Sequence, residues 1–435
     1  MSKLRYAVVG TGGRCLGSYL LPLTRDYADT VQFVGLCDLN TQRMKYSLAQ
    51  MKKENPKLKI PLFTDYAKML KTVKPDRVLV TTRDSLHAPL AVQAMEAGAD
   101  VVTEKPMTTD ETMCRQILET EKKTRRKVTV TFNMRYGMAV TKCKELIREN
   151  HIGKLVSVDL NYWLDTIHGA DYFRRWHRKQ ANSGSLLIHK STHHFDTVNW
   201  LIEQDPVQVF AYGARNRYGK EHAIPGHGKN CRECKVIDQC PFAPQWGRVD
   251  SSSNLHNLYF KAEAEDGYQR DSCVFDSEVD IPDTMILAVR YTGGVHMSYS
   301  LNAFLPYEGF RLSINGTEGK IDLECFHRTP WDAGENTVRV TKTGYEESRV
   351  LTIAPYNVNS KLHGGHGGAD DVLLRDIFGS KLPNDPLKRA AGSRAGAMSM
   401  LIGAAANNSM RENRPINIAD LVPLDLINHR ERGYH

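Results

Sequence analysis

Apolar positions fall in two different rhythms along this chain. In the first third, short runs with apolar centres, LRYAVV (4–9), VQFVGLCD (31–38), RVLVTT (77–82), DVVTEKP (100–106) and KVTVTF (127–132), are separated by stretches with helical spacing. Those helices are predicted through Leu20, to about Lys53, from about Pro89 to Ala97 and from about Asp110 to Lys123. Strands apolar on both faces, alternating with helices on short links, predict a parallel sheet covered on both sides. After about Phe132 the rhythm changes. A helix over 138–149 leads into LVSVDLNYWLD, which alternates with period two. TMILAVRY, VHMSYSLNAF, FRLSINGT, KIDLECF and TVRVTKT follow as further strands, several joined by glycine-containing turns, the pattern of an open antiparallel sheet. From Asp370 the chain turns helical again, and the small residues of GSRAGAMSMLIGAAANN suit packing back on the body.

The link after the first strand carries the first chemical signal. VVGTGGRC places Gly10 and Gly12 at the first two positions of a G-x-G-x-x-G fingerprint, with Gly13 and Arg14 beside them and Cys15 at the third. The first glycine permits the tight turn. The second lets backbone approach a pyrophosphate, which then sits at a helix N-terminus. The next strand ends in Asp38, where a carboxylate accepts from a ribose 2′-hydroxyl and repels a 2′-phosphate, so NAD is favoured over NADP, with Arg43 nearby as the counterweight. The fold class expected is α/β: a dinucleotide-binding Rossmann domain over 1–133 and a substrate-binding and oligomerisation α/β domain over 134–435, its sheet open and mostly antiparallel.

With GTGG (10–13), Asp38, His87, VTEKP (102–106) and SGSLLIHKSTHHFD (183–196) in one order, the chain resembles the Gfo/Idh/MocA oxidoreductases nearly end to end. The resemblance implies a Rossmann domain joined to an α/β domain whose open sheet forms the oligomer contact, a dimer or tetramer. It implies chemistry on a sugar or polyol carbon with a nicotinamide cofactor. Lys105 matches the family's EKP lysine, and His193 matches the histidine of its G-G-G-x-x-x-D-x-x-x-H-x-x-D segment. His189 stands where that segment commonly carries an aspartate, Lys190 follows it, and the glycine triplet reads Ser183, Gly184, Ser185. Thr82, His87, Glu104 and Asn133 fall where the family lines its cofactor pocket, although His87 reads equally well as a helix-entry residue.

Oxidising a secondary alcohol needs a hydride acceptor and a base. Lys105 can stabilise negative charge developing on oxygen, and a histidine titrating near neutrality can take the proton. Over 183–200 one helix is predicted, with His189, His193, Asp196 and Trp200 spaced by four, three and four on one face and Lys190, His194 and Thr197 on the next stripe. Lys105, His193, His189 and Lys190 are therefore the candidate catalytic groups. Asp196 is read as orienting a histidine or binding backbone, and His194 as a substrate contact.

Arg135 and Tyr136, after the last Rossmann strand, and Arg174, Trp176 and His177, in DYFRRWHR, are candidate substrate contacts. The second group combines flat rings for a sugar face with donors for hydroxyls or a uronic acid carboxylate, and an exposed basic loop is the competing reading. His366, in HGGHGGADD, is either a further cleft residue or part of a plain linker.

Cys231, Cys234 and Cys240 with His227 suggest a structural zinc site, against free or redox-paired thiols. The other cysteines, out of nine, are scattered and suit a reducing, cytoplasmic setting. A net charge of +8 over 435 residues comes with no long basic run, so nucleic-acid binding has no support, and no apolar run is long enough for a membrane span. Three functions follow in order: an NAD-dependent dehydrogenase acting on a sugar, polyol or glycoside; a glycosidase working by transient oxidation and elimination; and an inactive nucleotide-sensing protein.

Overall fold

The computed structural model describes residues 3–244, 246, 249–345, 348–353, 365–380 and 384–428. Six parallel strands, β1 (Leu4–Val9), β2 (Val31–Cys37), β3 (Leu62–Phe63), β4 (Arg77–Val80), β5 (Asp100–Thr103) and β6 (Val128–Val130), form one sheet in the order β3-β2-β1-β4-β5-β6. Successive residues of β1 enter different cores: Tyr6 and Val8 pack on one face, Ala7 and Val9 on the other. That two-sided burial is why its residues read as an unbroken apolar run. Side-chain caps start the covering helices. Asn40, Asp65 and Asp110 each accept the backbone N–H three residues on, which satisfies a donor that the first helical turn leaves orphaned. β2 and β4 flank β1, so the chain reverses direction across the sheet beside Gly10, where such sheets bind ligands.

The second sheet has nine strands: β7 (Leu155–Asp165), β8 (Pro206–Ala214), β9 (Thr284–Tyr291), β10 (His296–Leu305), β11 (Glu308–Gly316), β12 (Gly319–Arg328), β13 (Asn336–Lys342), β14 (Ser348–Ile353) and β15 (Ile416–Asn417). Their order is β14-β13-β12-β11-β7-β10-β9-β8-β15, antiparallel throughout except for β7 with β10. One face is core, with Met285, Leu287, Val289, Met297, Tyr299 and Leu301 buried. The other face is open, and register partners Tyr212 and Ile286 lie exposed on it side by side.

Helices cover the core face. The single helix expected over 183–200 is two, Leu186–His189 and Thr192–Ile202. His193 lines a cavity that His189 does not, and the His189 ring bonds to Asp84 instead. The helix Ser393–Glu412 runs across both sheets' coverings, and its small residues explain how. A β-carbon on Gly403 would stand 2.4 Å from the Leu187 carbonyl oxygen, and one on Gly396 would stand 2.9 Å from the Met107 side chain. Asn407 donates to the Gly184 carbonyl at 2.7 Å and accepts from the Ser185 hydroxyl at 2.9 Å. Those bonds hold Ser185 at φ +76, a region that favours glycine. No helix among the described residues is long and apolar enough to cross a membrane.

Close packing at Gly403 gives a stability prediction. Gly403→Ala forces backbone apart and should cost about 1–3 kcal/mol in urea denaturation. Gly17→Ala, with nothing within 4 Å, should hold its midpoint or gain about 0.5–1 kcal/mol from helix propensity.

Candidate active site

The cofactor groove is built from the first turn upward. Gly10 has φ +86, and a β-carbon there would lie 2.8 Å from the Thr81 backbone, so only glycine fits. Gly12 faces open space apart from the Tyr259 hydroxyl at 3.7 Å. The Gly13 N–H donates to that hydroxyl at 3.1 Å, so an oxygen already stands on the donor that a pyrophosphate would use. Cys15, at the third fingerprint position, is fully buried, and burial pushes its thiol up to about 12, which makes it an inert packing residue. At the end of β2, Asp38 accepts from the Thr11 N–H at 2.7 Å, the Asn40 N–H at 3.0 Å and Arg43 at 3.2 Å. The turn and the carboxylate fit a dinucleotide. Thr82 borders the turn, its methyl 2.8 Å from where a Gly10 β-carbon would be. His87 is buried, with ring nitrogens 2.7 and 3.2 Å from the carbonyl oxygens of Pro106 and Thr82, so it braces the turn that carries Lys105.

Beneath that turn lies a charged network. Glu104 accepts from Arg14 at 2.6 Å, from the Tyr19 hydroxyl at 2.7 Å and from the Lys105 N–H at 3.1 Å. Burial opposes its ionisation, but the Arg14 and Lys105 charges with the Arg14 and Tyr19 hydrogen bonds overcome this and hold it below the usual carboxylate range. Arg14 also reaches Asp370 at 3.1 Å, and Asp370 accepts from Asn133 at 2.6 Å. Arg14, Glu104 and Asn133 thus form one scaffold under the cofactor side of the site.

The Lys105 ammonium donates to the His189 carbonyl at 3.2 Å. Burial lowers its pKa, opposed by Glu104 and Asp84. The His189 Nδ1 lies 2.6 Å from the Asp84 carboxylate. Burial drives His189 well below the usual histidine range, helped by Lys105 and His177, and raises Asp84 well above the usual carboxylate range. The pair therefore favours its least charged forms. The His177 ring, itself buried, sits 4.2 Å from the His189 ring and is stacked on Trp176 at 3.6 Å.

Next to this cluster opens a cavity of about 460 Å³, lined among others by Asn133, Lys190, His193, His194, Glu308 and His327. His193 meets Phe132 edge-on. His194 stacks on Tyr162 at 4.2 Å, and its Nδ1 lies 2.8 Å from the Tyr299 hydroxyl. Lys190 stands 4.9 Å over the Tyr162 ring, and burial lowers its pKa to about 8 against the pull of Glu308. Glu308 is held down to about 2: burial opposes this, and the His168 hydrogen bond and the charges of His168, Lys190 and His327 prevail. His168 bridges Glu308 at 2.8 Å and the Tyr172 hydroxyl at 2.9 Å, and Tyr172 in turn meets His189 edge-on. The site can therefore hold a hydroxyl on an ammonium group and pass its proton to an imidazole.

Several expected residues lie elsewhere. Asp196 does not orient a histidine: both its oxygens take Arg135 at 2.6 Å in a buried pair. Arg135 and Tyr136 do not line the cavity, and Tyr136 faces a separate one beside Leu373 and Asp376. Arg174 lines a neighbouring cavity. His366 falls in the turn Gly365–Gly368, and its side chain lies outside the described residues.

Cys231, Cys234, Cys240 and His227 do share a small pocket, joined by Cys273. Among the described residues, however, no three His, Cys, Asp or Glu side chains converge to hold a metal, so the zinc expectation is corrected. The thiols are free, and three of them have local partners, Cys231 the Arg174 side chain, Cys234 the Gly228 N–H and Cys273 the Phe275 N–H. Asp84, His168, Tyr172 and Glu308 were not anticipated. Asp84 had a signal, being the acid of TTRDSLH immediately beyond β4 at the ligand-binding edge.

Two family models match this chain. Residues 4–132 match an oxidoreductase-family NAD-binding Rossmann fold, and residues 144–418 match the C-terminal alpha/beta domain of the same oxidoreductase family. The chain belongs to the Gfo/Idh/MocA oxidoreductase family. This Gfo/Idh/MocA protein is 39% identical over 429 residues to YteT of Bacillus subtilis strain 168, named as an oxidoreductase, covering 95% of this chain and 97% of that one. It is 30% identical over 407 residues to glycosyl hydrolase family 109 protein 1 of Akkermansia muciniphila, covering 89% and 75%. Its fold is shared with levoglucosan dehydrogenase solved with NADH and L-sorbose, at a TM-score of 0.67 and 16% identity over 96% of this chain and 100% of that one.

The Lys190 environment gives the second prediction. Glu308→Gln removes the anion that favours the ammonium form, so the Lys190 pKa should fall below about 8. An NMR titration of the reductively ¹³C-methylated protein, with Lys190→Met to assign the resonance, measures it.

Proposed function

We propose that this protein is an NAD-dependent oxidoreductase acting on a secondary hydroxyl of a sugar, polyol or glycoside, with Lys105 and His193 handling the hydroxyl proton. The observation that carries the reading is the Lys105 ammonium anchored on the His189 carbonyl at 3.2 Å, beside a cavity that His193 and Lys190 line. Gly10, Gly12, Gly13 and Asp38 would hold the dinucleotide, and a bound nicotinamide supplies the hydride acceptor. Lys105 donates to the substrate oxygen and stabilises charge as the proton leaves. His193 takes that proton, and Lys190 holds a neighbouring oxygen. The Asp84–His189 pair fixes the carbonyl on which Lys105 rests, so it positions the ammonium. Asp38 disfavours a 2′-phosphate, and its bond to Arg43 leaves that guanidinium engaged, which supports NAD over NADP. The open sheet face with Tyr212 and Ile286 is the surface by which we infer a homo-oligomer forms.

A second reading is a glycosidase using transient oxidation and elimination. The 30% identical relative named a glycosyl hydrolase supports it, as do the additional proton-transfer groups His168 and Glu308 facing the same cavity. Incubation with free sugars and aryl glycosides separates the two. Net NADH formation identifies the dehydrogenase, and aglycone release without net NADH identifies the glycosidase. No turnover of either kind with NAD bound overturns both and favours a sensor. Lys105→Met should lower kcat about 10²- to 10⁴-fold while NADH still binds by fluorescence titration. An unchanged kcat would remove Lys105 from the chemistry.

A further inference from the structure

Beside the main cavity lies a second of about 380 Å³, lined by Asp171, Arg174, Phe242, Trp246 and Arg270 among others. The two cavities share His168 and Arg328 in their walls, so they adjoin. Neither the family match nor the proposed reaction assigns the second one a role.

Its charges do not balance. Three guanidinium groups, Arg174, Arg270 and Arg328, line it against a single carboxylate, Asp171. That carboxylate is taken by Arg270 on both oxygens, at 2.7 and 2.8 Å, and also lies 3.5 Å from Arg175. Arg328 has Asp165 at 2.7 Å. Arg174 is only 3% exposed and forms no ion pair among the described residues; its side chain contacts the Cys231 thiol. The Nε atoms of Arg174 and Arg270 are both buried without a hydrogen-bond partner. A buried guanidinium with an unpaired Nε donor and no carboxylate partner among the described residues, as at Arg174, suits an anion of planar, two-oxygen geometry. Phe242 and Trp246 add apolar surfaces against which the C–H face of a sugar ring can lie, and the Arg270 guanidinium lies 5.7 Å from the Trp246 ring. Asp171 disfavours a dianion such as a phosphate ester and tolerates a monoanion.

We propose that this second cavity is a subsite for a hexuronic acid unit, its carboxylate held by Arg174, joined to the sugar whose hydroxyl lies at Lys105 and His193. The proposal rests on the carbohydrate reading of the main cavity, and it makes the substrate an acidic disaccharide or longer glycoside.

The test uses the full-length protein loaded with NAD and a panel of disaccharides each bearing one hexuronic acid, with their methyl esters and the matching sugar phosphates. Calorimetry measures binding, and absorbance and product analysis measure turnover. The wild type should favour the free acid over its ester by about 10- to 100-fold in Kd or KM. Arg174→Gln should bring that ratio near one with NADH affinity and melting temperature retained, and Arg174→Lys should restore part of it. Trp246→Ala should weaken acid and ester alike, and keeps the idea testable if the Arg174 variants fail to fold. Equal binding of acid and ester by the wild type, a ratio unmoved by Arg174→Gln, or stronger binding of the phosphates overturns the subsite. Acid-selective, Arg174-dependent binding without turnover retains the subsite and overturns the oxidoreductase reading. Turnover of neutral sugars with no acid preference does the reverse.

Discussion

An ammonium group withdrawn from water has to be held by its neighbours, and at Lys105 those neighbours come from both halves of the molecule. Its oxygen acceptor is the His189 carbonyl, contributed by the C-terminal half. The negative charge that favours its protonated form is Glu104, on the Rossmann side. Glu104 is itself kept ionised by Arg14, and Asp84 is engaged with the His189 ring. The Lys105 and Asp84 bonds to His189 form only when the two halves are docked. The docking of the domains and the readiness of the site are therefore one equilibrium, and a burial penalty of the size that an unpaired lysine carries ties them together.

How much of this was legible depended on the range of the interaction that decides each feature. The five Rossmann strands named from the sequence are local events, short apolar runs between polar or turn-forming residues, and they appear where read. So do β7 and β9 to β13, whose alternation is clean. β3, β8, β14 and β15 were missed: β3 and β15 are two residues each, and β8, although VQVFAYGA carries the pattern, opens on Pro206 just after a helix. The helix break at Lys190–Ser191 carries neither proline nor glycine, and Ile188, Phe195 and Ile202 keep a seven-residue helical spacing across it. What imposes the break is tertiary, the Ser191 and Tyr299 hydroxyls bonding beneath it and Asp84 bonding the His189 ring.

Side-chain placement was more legible than side-chain partners. Lys105, Lys190, His193 and His194 were all picked out, and they do gather round one region. Asp196 and Arg135 were each assigned to chemistry, yet they neutralise one another in the core, 61 positions apart. Spacing on a helix says which residues share a face and is silent on what that face meets. The same holds for Glu308 and His168, which belong to different elements 140 positions apart and reveal themselves only as a pair.

The glycines of Ser393–Glu412 have a consequence of another kind. At Gly396 the helix rests against Met107, two residues past Lys105, and at Gly403 it rests on Leu187, two residues before the histidine whose carbonyl receives that lysine. A rod lying across two bodies acts as a gauge block: its thickness at each rest sets how far apart they stand. Here the thickness is that of bare backbone. Bulk added at either rest would travel as a wedge to a site it never touches, so the tolerances of the chemistry are written in a stretch that contains no chemistry at all.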